Sequence, residues 1–188
     1  LLLERSLNGF EGYDVVINNS VESKVLIYQK YDAESTVKKV IGRISDVEIG
    51  NVMTIDNDNW LVITIPEDNK IYRKAEMQLC NSTYPIKSNK TKVLAGSYDN
   101  GKPIWDYVYE VDKLEPCIVE SKNYMSDTNA QLVTQNNSLV ITIRYQQSDT
   151  FKLNEEFSMY NYKYKVVDID YTKVINEKGI IKIIAERL

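Results

Sequence analysis

The sequence predicts a mainly β protein, built as two small antiparallel β-barrel or meander units in tandem with a long inserted loop and little helix. Composition is the first observation. Val, Ile, Thr, Tyr, Phe and Trp make up 67 of 188 residues, and these β-branched and aromatic types suit a pleated, half-buried surface. Ala, the strongest helix former, occurs five times. The second is period-two alternation, cleanest where Leu139, Ile141, Ile143 and Tyr145 interleave with Val140, Thr142 and Arg144. The third is an internal echo. Asn59–Ile65 aligns with Lys163–Ile169 at an offset of 104, and the same offset sets Lys74–Leu79 against Lys178–Ile183. Trp60 and Tyr164 then occupy one place in two repeats and are expected to be equivalent core anchors.

The elements follow in order. Residues 1–10 hold the one segment with weak helical periodicity. Strand signals come at Val15–Ile17, Lys24–Tyr28 and Val37–Ile44. Val52–Ile55 and Trp60–Ile65 flank Asp56-Asn57-Asp58-Asn59, and Asn and Asp tolerate left-handed backbone, so this reads as a hairpin. Pro66–Lys70 is a second turn, and Ile71–Leu79 returns as a third strand. Residues 81–112 carry Pro85, Ser88-Asn89-Lys90 and Asp99-Asn100-Gly101 and read as a long loop or a short inserted hairpin. After Pro116, strand signals resume at Cys117–Val119 and continue through Phe157–Met159, Tyr162–Asp168 and Gly179–Ala185. The organisation expected is an N-terminal β unit over 1–95, a loop or linker over 96–115 and a C-terminal β unit over 116–188.

Charge and composition narrow the function. The net charge is −4, the wrong sign for coating nucleic acid by bulk charge. Histidine is absent, which excludes His-based triads and His-ligated zinc. No apolar run approaches the ~20 residues of a membrane helix. Cys80 and Cys117 sit in no CxxC pair and are expected to be free, buried thiols, a bridge between them being the alternative. The opening Leu1–Arg5 lacks an initiator Met and a signal-peptide layout. The Asn-x-Ser/Thr matches at Asn18, Asn81, Asn89 and Asn136 are chance-level in a chain this rich in Asn.

Candidate chemistry is thin. Asp56-Asn57-Asp58 resembles the start of a calcium loop, but Trp60 and Leu61 stand where that loop needs Asp/Asn and Gly. Asp168 and Asp170 share a strand face, and Glu155-Glu156 is a second acidic pair. Without a nucleophile or base beside them they read as solvated strand ends. No glycine-rich phosphate loop is present. Tyr160–Lys165 alternates aromatic and basic residues, which could stack bases but is also plain strand amphipathicity. An assembly part is expected, with no enzyme activity, no catalytic residue, no cofactor and no metal. Its fourteen tyrosines fit such a role, because Tyr buries area at interfaces at low rotamer cost.

Three strings carry a resemblance. Asn59-Trp60-Leu61-Val62 with Tyr72, Gln78-Leu79-Cys80-Asn81-Ser82-Thr83, and Pro116-Cys117-Ile118-Val119 are similar in order to a family of tailed-phage virion proteins of low-GC Gram-positive hosts. Leu153–Phe157, Tyr164–Ile169 and Gly179–Lys182 extend the resemblance, which covers about residues 45–188. Departures are Tyr84-Pro85, where the family has a nearby Trp, and a longer insert at 86–112. The resemblance implies a neck protein, a head–tail connector or head-closure ring assembled in the host cytoplasm and located in the virion. Its implied partners are its own copies, a portal or adaptor protein on the head side, and tail-terminator or tail proteins on the other. Genomic DNA would pass through non-specifically, with no membrane contact. In the insert and its flanks, Tyr84, Tyr98, Trp105, Tyr107 and Tyr109 are the expected interface or channel residues, aromatics being favoured at hot spots. The alternatives are another tail or baseplate protein of a phage or phage-tail-like particle, a secreted glycan-binding β module, and a hydrolase using the acidic pairs.

Overall fold

The computed structural model describes residues 2–29, 36–122, 138–148 and 150–188, and the side chains among them other than those of 88–90, 109–112 and 122. Among the described residues a short helix, α1 (Leu2–Leu7), precedes fourteen strands. Glu4 of this helix accepts two hydrogen bonds from the Arg43 guanidinium, both at 2.8 Å, which ties it to the first β unit.

That unit comprises β1 (Gly12–Ile17), β2 (Val21–Gln29), β3 (Val37–Gly42), β4 (Val52–Ile55), β5 (Asp58–Val62), β6 (Glu67–Asn69) and β7 (Tyr72–Leu79). Its ladder runs β3-β2-β1-β4-β5-β7, and β7 pairs back onto β3, closing a six-stranded antiparallel barrel. The second unit comprises β8 (Ser82–Ser97), β9 (Pro103–Lys122), β10 (Ser138–Arg144), β11 (Glu156–Met159), β12 (Tyr162–Asp170), β13 (Val174–Ile175) and β14 (Lys178–Arg187). Its order is β11-β12-β14-β10-β9-β8. Superposed on the first circuit, β8, β9 and β10 stand for β1, β2 and β3, and β11, β12 and β14 for β4, β5 and β7. The two units therefore share one topology.

The repeat is also local. β4–β5 and β11–β12 are two-residue hairpins whose turn residues all have positive φ, Asp56 (49°) and Asn57 (73°) in one, Tyr160 (51°) and Asn161 (65°) in the other. Such turns match the right-handed twist of the flanking strands. Gly50 N donates to Val62 O and Val62 N to Asn51 O, both at 2.9 Å. At an offset of 104, Asn154 N donates to Val166 O and Val166 N to Glu155 O, again at 2.9 Å. The offset does not extend to the last strand. Trp60 faces Leu79 but Tyr164 faces Arg187, so β7 corresponds to β14 at 108. The alignment of Lys74 with Lys178 is thereby corrected to Lys182. β12 runs on with a bulge between Val166 and Asp168 where the first unit breaks into the short β6, and the connections differ in length accordingly.

Strand alternation sorts the side chains. Inward in the first barrel are Val47, Met53, Ile55, Trp60, Val62 and Met77. In the second they are Phe151, Phe157, Met159, Tyr164, Val166 and Ala185. Trp60 and Tyr164, each 4% exposed, lie in separate cores, each filling its own barrel. The two barrels meet through a third cluster, in which outward-facing Ile49, Val52 and Leu61 close on Ile118 and Ile180. Gly50 makes this approach possible, because a Cβ there would stand 2.1 Å from the Gly179 carbonyl oxygen. Lys178 Nζ reaches Glu48 at 2.7 Å across the same junction, an exposed pair worth little by itself.

Of the two readings of residues 81–112, a long loop or a short inserted hairpin, the structure takes the hairpin, longer than expected, and the linker over 96–115 is part of it. Residues 82–122 form one long hairpin, β8 paired with β9 and turning at Tyr98–Lys102. The units divide between β7 and β8 instead of at 96–115. Pro85 misleads in the sequence. It lies opposite Leu114 in β8, a strand whose one ladder partner is β9, and proline is tolerated on such an edge. The hairpin also explains two strings of the sequence. Ser82 and Thr83 pair with Cys117 and Pro116, and the Asn81 amide both accepts from Val119 N (2.8 Å) and donates to Val119 O (2.9 Å), continuing the ladder by one side chain.

Cys80 and Cys117 are free thiols. Burial pushes each up to about 12, from 9.0 for an unhindered thiol, with the neighbouring carboxylate of Glu115 acting in the same direction. The unfolded chain loses these protons near pH 9 while the folded chain keeps them. Their contribution to stability is therefore complete below pH 9 and declines as pH rises toward 12. Urea midpoints recorded across that range are expected to fall less steeply in Cys117→Ala than in the parent chain. Trp60→Ala and Tyr164→Ala are each expected to cost about 3–5 kcal/mol in chemical denaturation, as for any large aromatic truncated in a packed core. A melting temperature unchanged by either would contradict the placement of that ring.

Candidate assembly interface

In the first barrel β1 meets β4 through a short ladder, Val16 to Thr54 and Ile17 to Met53, lengthened by Asn18, whose side chain accepts from Val52 N at 3.0 Å. At the corresponding seam β8 does not pair with β11. Side chains close it instead. Thr150 Oγ1 accepts from Lys87 N at 2.8 Å, and Lys87 Nζ is ion-paired with Glu155. Inside the seam Tyr84 is fully buried and packs on Phe157 (centroids 4.9 Å apart) and Phe151 (6.1 Å).

Tyr84 is thus corrected from an interface residue to a core residue, because the root of β8 is barrel wall and alternation turns Tyr84 and Ile86 inward. Among the described residues its hydroxyl has no hydrogen-bond partner, and burial raises its pKa above the usual tyrosine range.

Beyond Lys87 the hairpin leaves the barrel. At ~3.3 Å per residue, residues 87–97 carry its tip roughly 30 Å from the seam. Register fixes what each face of this arm presents. Leu94 lies opposite Trp105 and Lys92 opposite Tyr107, so these four share one face. Leu94 is 63% exposed, Trp105 49% and Tyr107 54%, and the Lys92 ammonium sits 4.9 Å from the centre of the Trp105 ring. Tyr98 is exposed at the turn. Tyr109 lies opposite Lys90 in the ladder, and its side chain is outside the described residues. Of the five aromatics singled out in the sequence, the fold brings Trp105 and Tyr107 together, sets Tyr98 at the tip and takes Tyr84 away. Leu94 and Lys92 escaped sequence reading, because their membership of this face depends on a register that no local pattern reveals.

The acidic pairs are spoken for or dispersed. Glu155 is paired with Lys87. Asp170 accepts from Thr172 N at 2.8 Å, and that bond holds its carboxyl below the usual range. Among the described residues no three His, Cys, Asp or Glu side chains gather as a metal site, and no helix is long and apolar enough to cross a membrane. A cleft of about 200 Å³ lies between the barrels, with Asn51, Glu48, Arg144 and Lys178 in its lining.

Comparison with known proteins agrees with the division into two units. A family model described as the YomX N-terminal domain matches residues 1–79, and one described as the YomX C-terminal domain matches residues 83–186. The gap falls between β7 and β8. The SPbeta prophage-derived protein YomX of Bacillus subtilis (strain 168) is 30% identical over 190 residues, spanning 100% of this chain and 88% of that protein. No solved structure matches. The relationship supports a phage origin for the chain.

Neither the seam hydroxyl nor the arm's aromatic face is expected to carry stability of the isolated chain. Tyr84→Phe removes a buried hydroxyl without a partner, so stability is expected to hold or to rise by about 1 kcal/mol. Trp105→Ala and Tyr107→Ala, on a surface touching no core, are expected to stay within ~0.5 kcal/mol of the parent in the same denaturation measurement.

Proposed function

The chain belongs to the YomX family, and from that premise we propose that it is a structural subunit of a phage particle, seated in the neck as a ring-forming head–tail connector. The observation that carries this reading is the arm, a two-stranded ribbon with an exposed aromatic face projecting from a pair of barrels. An isolated hairpin is marginal in water, and a contiguous exposed apolar face marks an interaction site. A ribbon that keeps Leu94, Trp105 and Tyr107 in solvent gains its stability from a partner.

The prophage-derived relative and the strings shared with tailed-phage virion proteins support the setting. In that setting the partners are neighbouring copies, a portal or adaptor protein above and tail-terminator or tail proteins below. A charge of −4 per subunit, repeated around a ring, repels phosphate and favours DNA that slides over gripped DNA.

Purified particles provide the test. The chain is expected in them by mass spectrometry at a fixed multiple per particle, with gold-labelled antibody at the head–tail joint. Label at the distal tail would favour a tail or baseplate role, and particles lacking the chain would sink the reading. Replacing residues 91–108 by Asn-Gly joins Lys90 to Tyr109, which already face each other, and leaves the barrel wall intact. Phage carrying this change are expected to yield heads and tails that do not join.

A further inference from the structure

The repeat places two equivalent surfaces side by side for comparison. In the first barrel the residues pointing away from the core at positions 49, 52, 61 and 63 are Ile49, Val52, Leu61 and Ile63, and the second barrel covers them. The offset of 104 carries those positions to Leu153, Glu156, Lys165 and Val167. There the equivalent face is open, with Leu153 59% and Val167 39% exposed, and Glu156 and Lys165 directly opposite each other in the ladder. Inside the chain, the first barrel's face is covered by two strands, β9 through Ile118 and β14 through Ile180.

The arm is the continuation of the first of these, β9. Ile86 pairs with Lys113 and Lys87 with Val111, so β9 gains one residue there and its faces exchange; between Lys87 and Lys90 β8 gains one in turn, which keeps Leu94 and Trp105 opposite each other on one face. Odd-numbered Trp105 and Tyr107 thereby lie on the face that Ile118 occupies nearer the root.

We propose that the Leu94–Trp105–Tyr107 face of the arm docks on the Leu153–Val167 face of the second barrel of a neighbouring copy, a contact between chains that repeats the cover β9 provides within the chain. Lys92 on the arm and Glu156 on the seat supply opposite charges at the rim. The contact is heterologous, one copy giving the arm and the next the seat, and such contacts generate rings when the rotation closes. The inference rests on the ring reading above and names its surface.

The test is complementation with the purified full-length chain in sedimentation velocity. The parent is expected to form larger species as concentration rises toward about 1 mM. The chain with 91–108 replaced by Asn-Gly, and the double variant Leu153→Glu/Val167→Glu, should each stay monomeric. Mixed equimolar, they should form a species of two copies and nothing larger, since one intact arm meets one intact seat. Recovery on mixing also shows that both variants are folded. A mixture that stays monomeric, a parent monomeric throughout the range, or either variant assembling as the parent does would overturn the contact. Particles that nonetheless contain the chain would leave the virion reading standing.

Discussion

A sheet edge has to be closed, covered or paired, and the way this chain closes its second barrel determines the rest of its architecture. In the first barrel backbone ladders complete the ring, through β3–β7 and the short β1–β4 contact, and no long edge survives. In the second the corresponding ladder is replaced by Thr150 on Lys87 and by the Lys87–Glu155 pair. Side chains at one point of β8 do what a run of backbone bonds does elsewhere. β8 is thereby fixed at its root and released beyond it. A strand committed to a neighbour along its whole length could not leave the barrel. One pinned at residue 87 can, and β9 leaves with it as its ladder partner.

The pinning needs a dry seam, which Tyr84 supplies. Buried against Phe151 and Phe157, it brings a large apolar ring to the place where no ladder excludes water. An unpaired hydroxyl accompanies it, a cost of about 1–3 kcal/mol. A phenylalanine would avoid that cost, so packing volume is what the site obtains from tyrosine; the structure offers no use for the hydroxyl.

Legibility in the sequence followed the same physics. Where one strand face was buried and the other wet, as in β11 with Phe157 and Met159 inward and Glu156 and Ser158 exposed, alternation was plain, and where Asn and Asp turned a hairpin with positive φ, as at 56–57, the turn was plain too. The arm was illegible because both its faces meet solvent, so no core imposes a period on Thr91–Val108, and its Pro and Asn residues imitate a loop. Tyr84 and Trp105 could not be told apart for a related reason. Each is an aromatic in the same stretch, and what separates them is whether the barrel wall continues past Lys87. The repeat was readable in β4–β5 against β11–β12, where hairpin and strand lengths are equal. It slipped by four residues at β14 because a bulge and a longer strand replaced β6, a change of connection that leaves the inward residues in phase.

Two barrels of one topology bear different outward faces, and the difference is informative. Ile49, Val52, Leu61 and Ile63 are uniformly apolar, as befits a surface buried from the moment the chain folds. At the equivalent positions Leu153 and Val167 keep the apolar ends while Glu156 and Lys165 replace the middle. A face that must stay soluble before it is covered cannot be wholly apolar, since contiguous exposed patches promote non-specific association. Two charged residues facing each other in the ladder at its centre, Glu156 and Lys165, keep it hydrated. The same compromise marks the arm, where Lys92 lies over Trp105 and shields the ring without removing it from reach. Permanent burial accounts for the first composition, and the second is the one a face would need under the contact between copies proposed above.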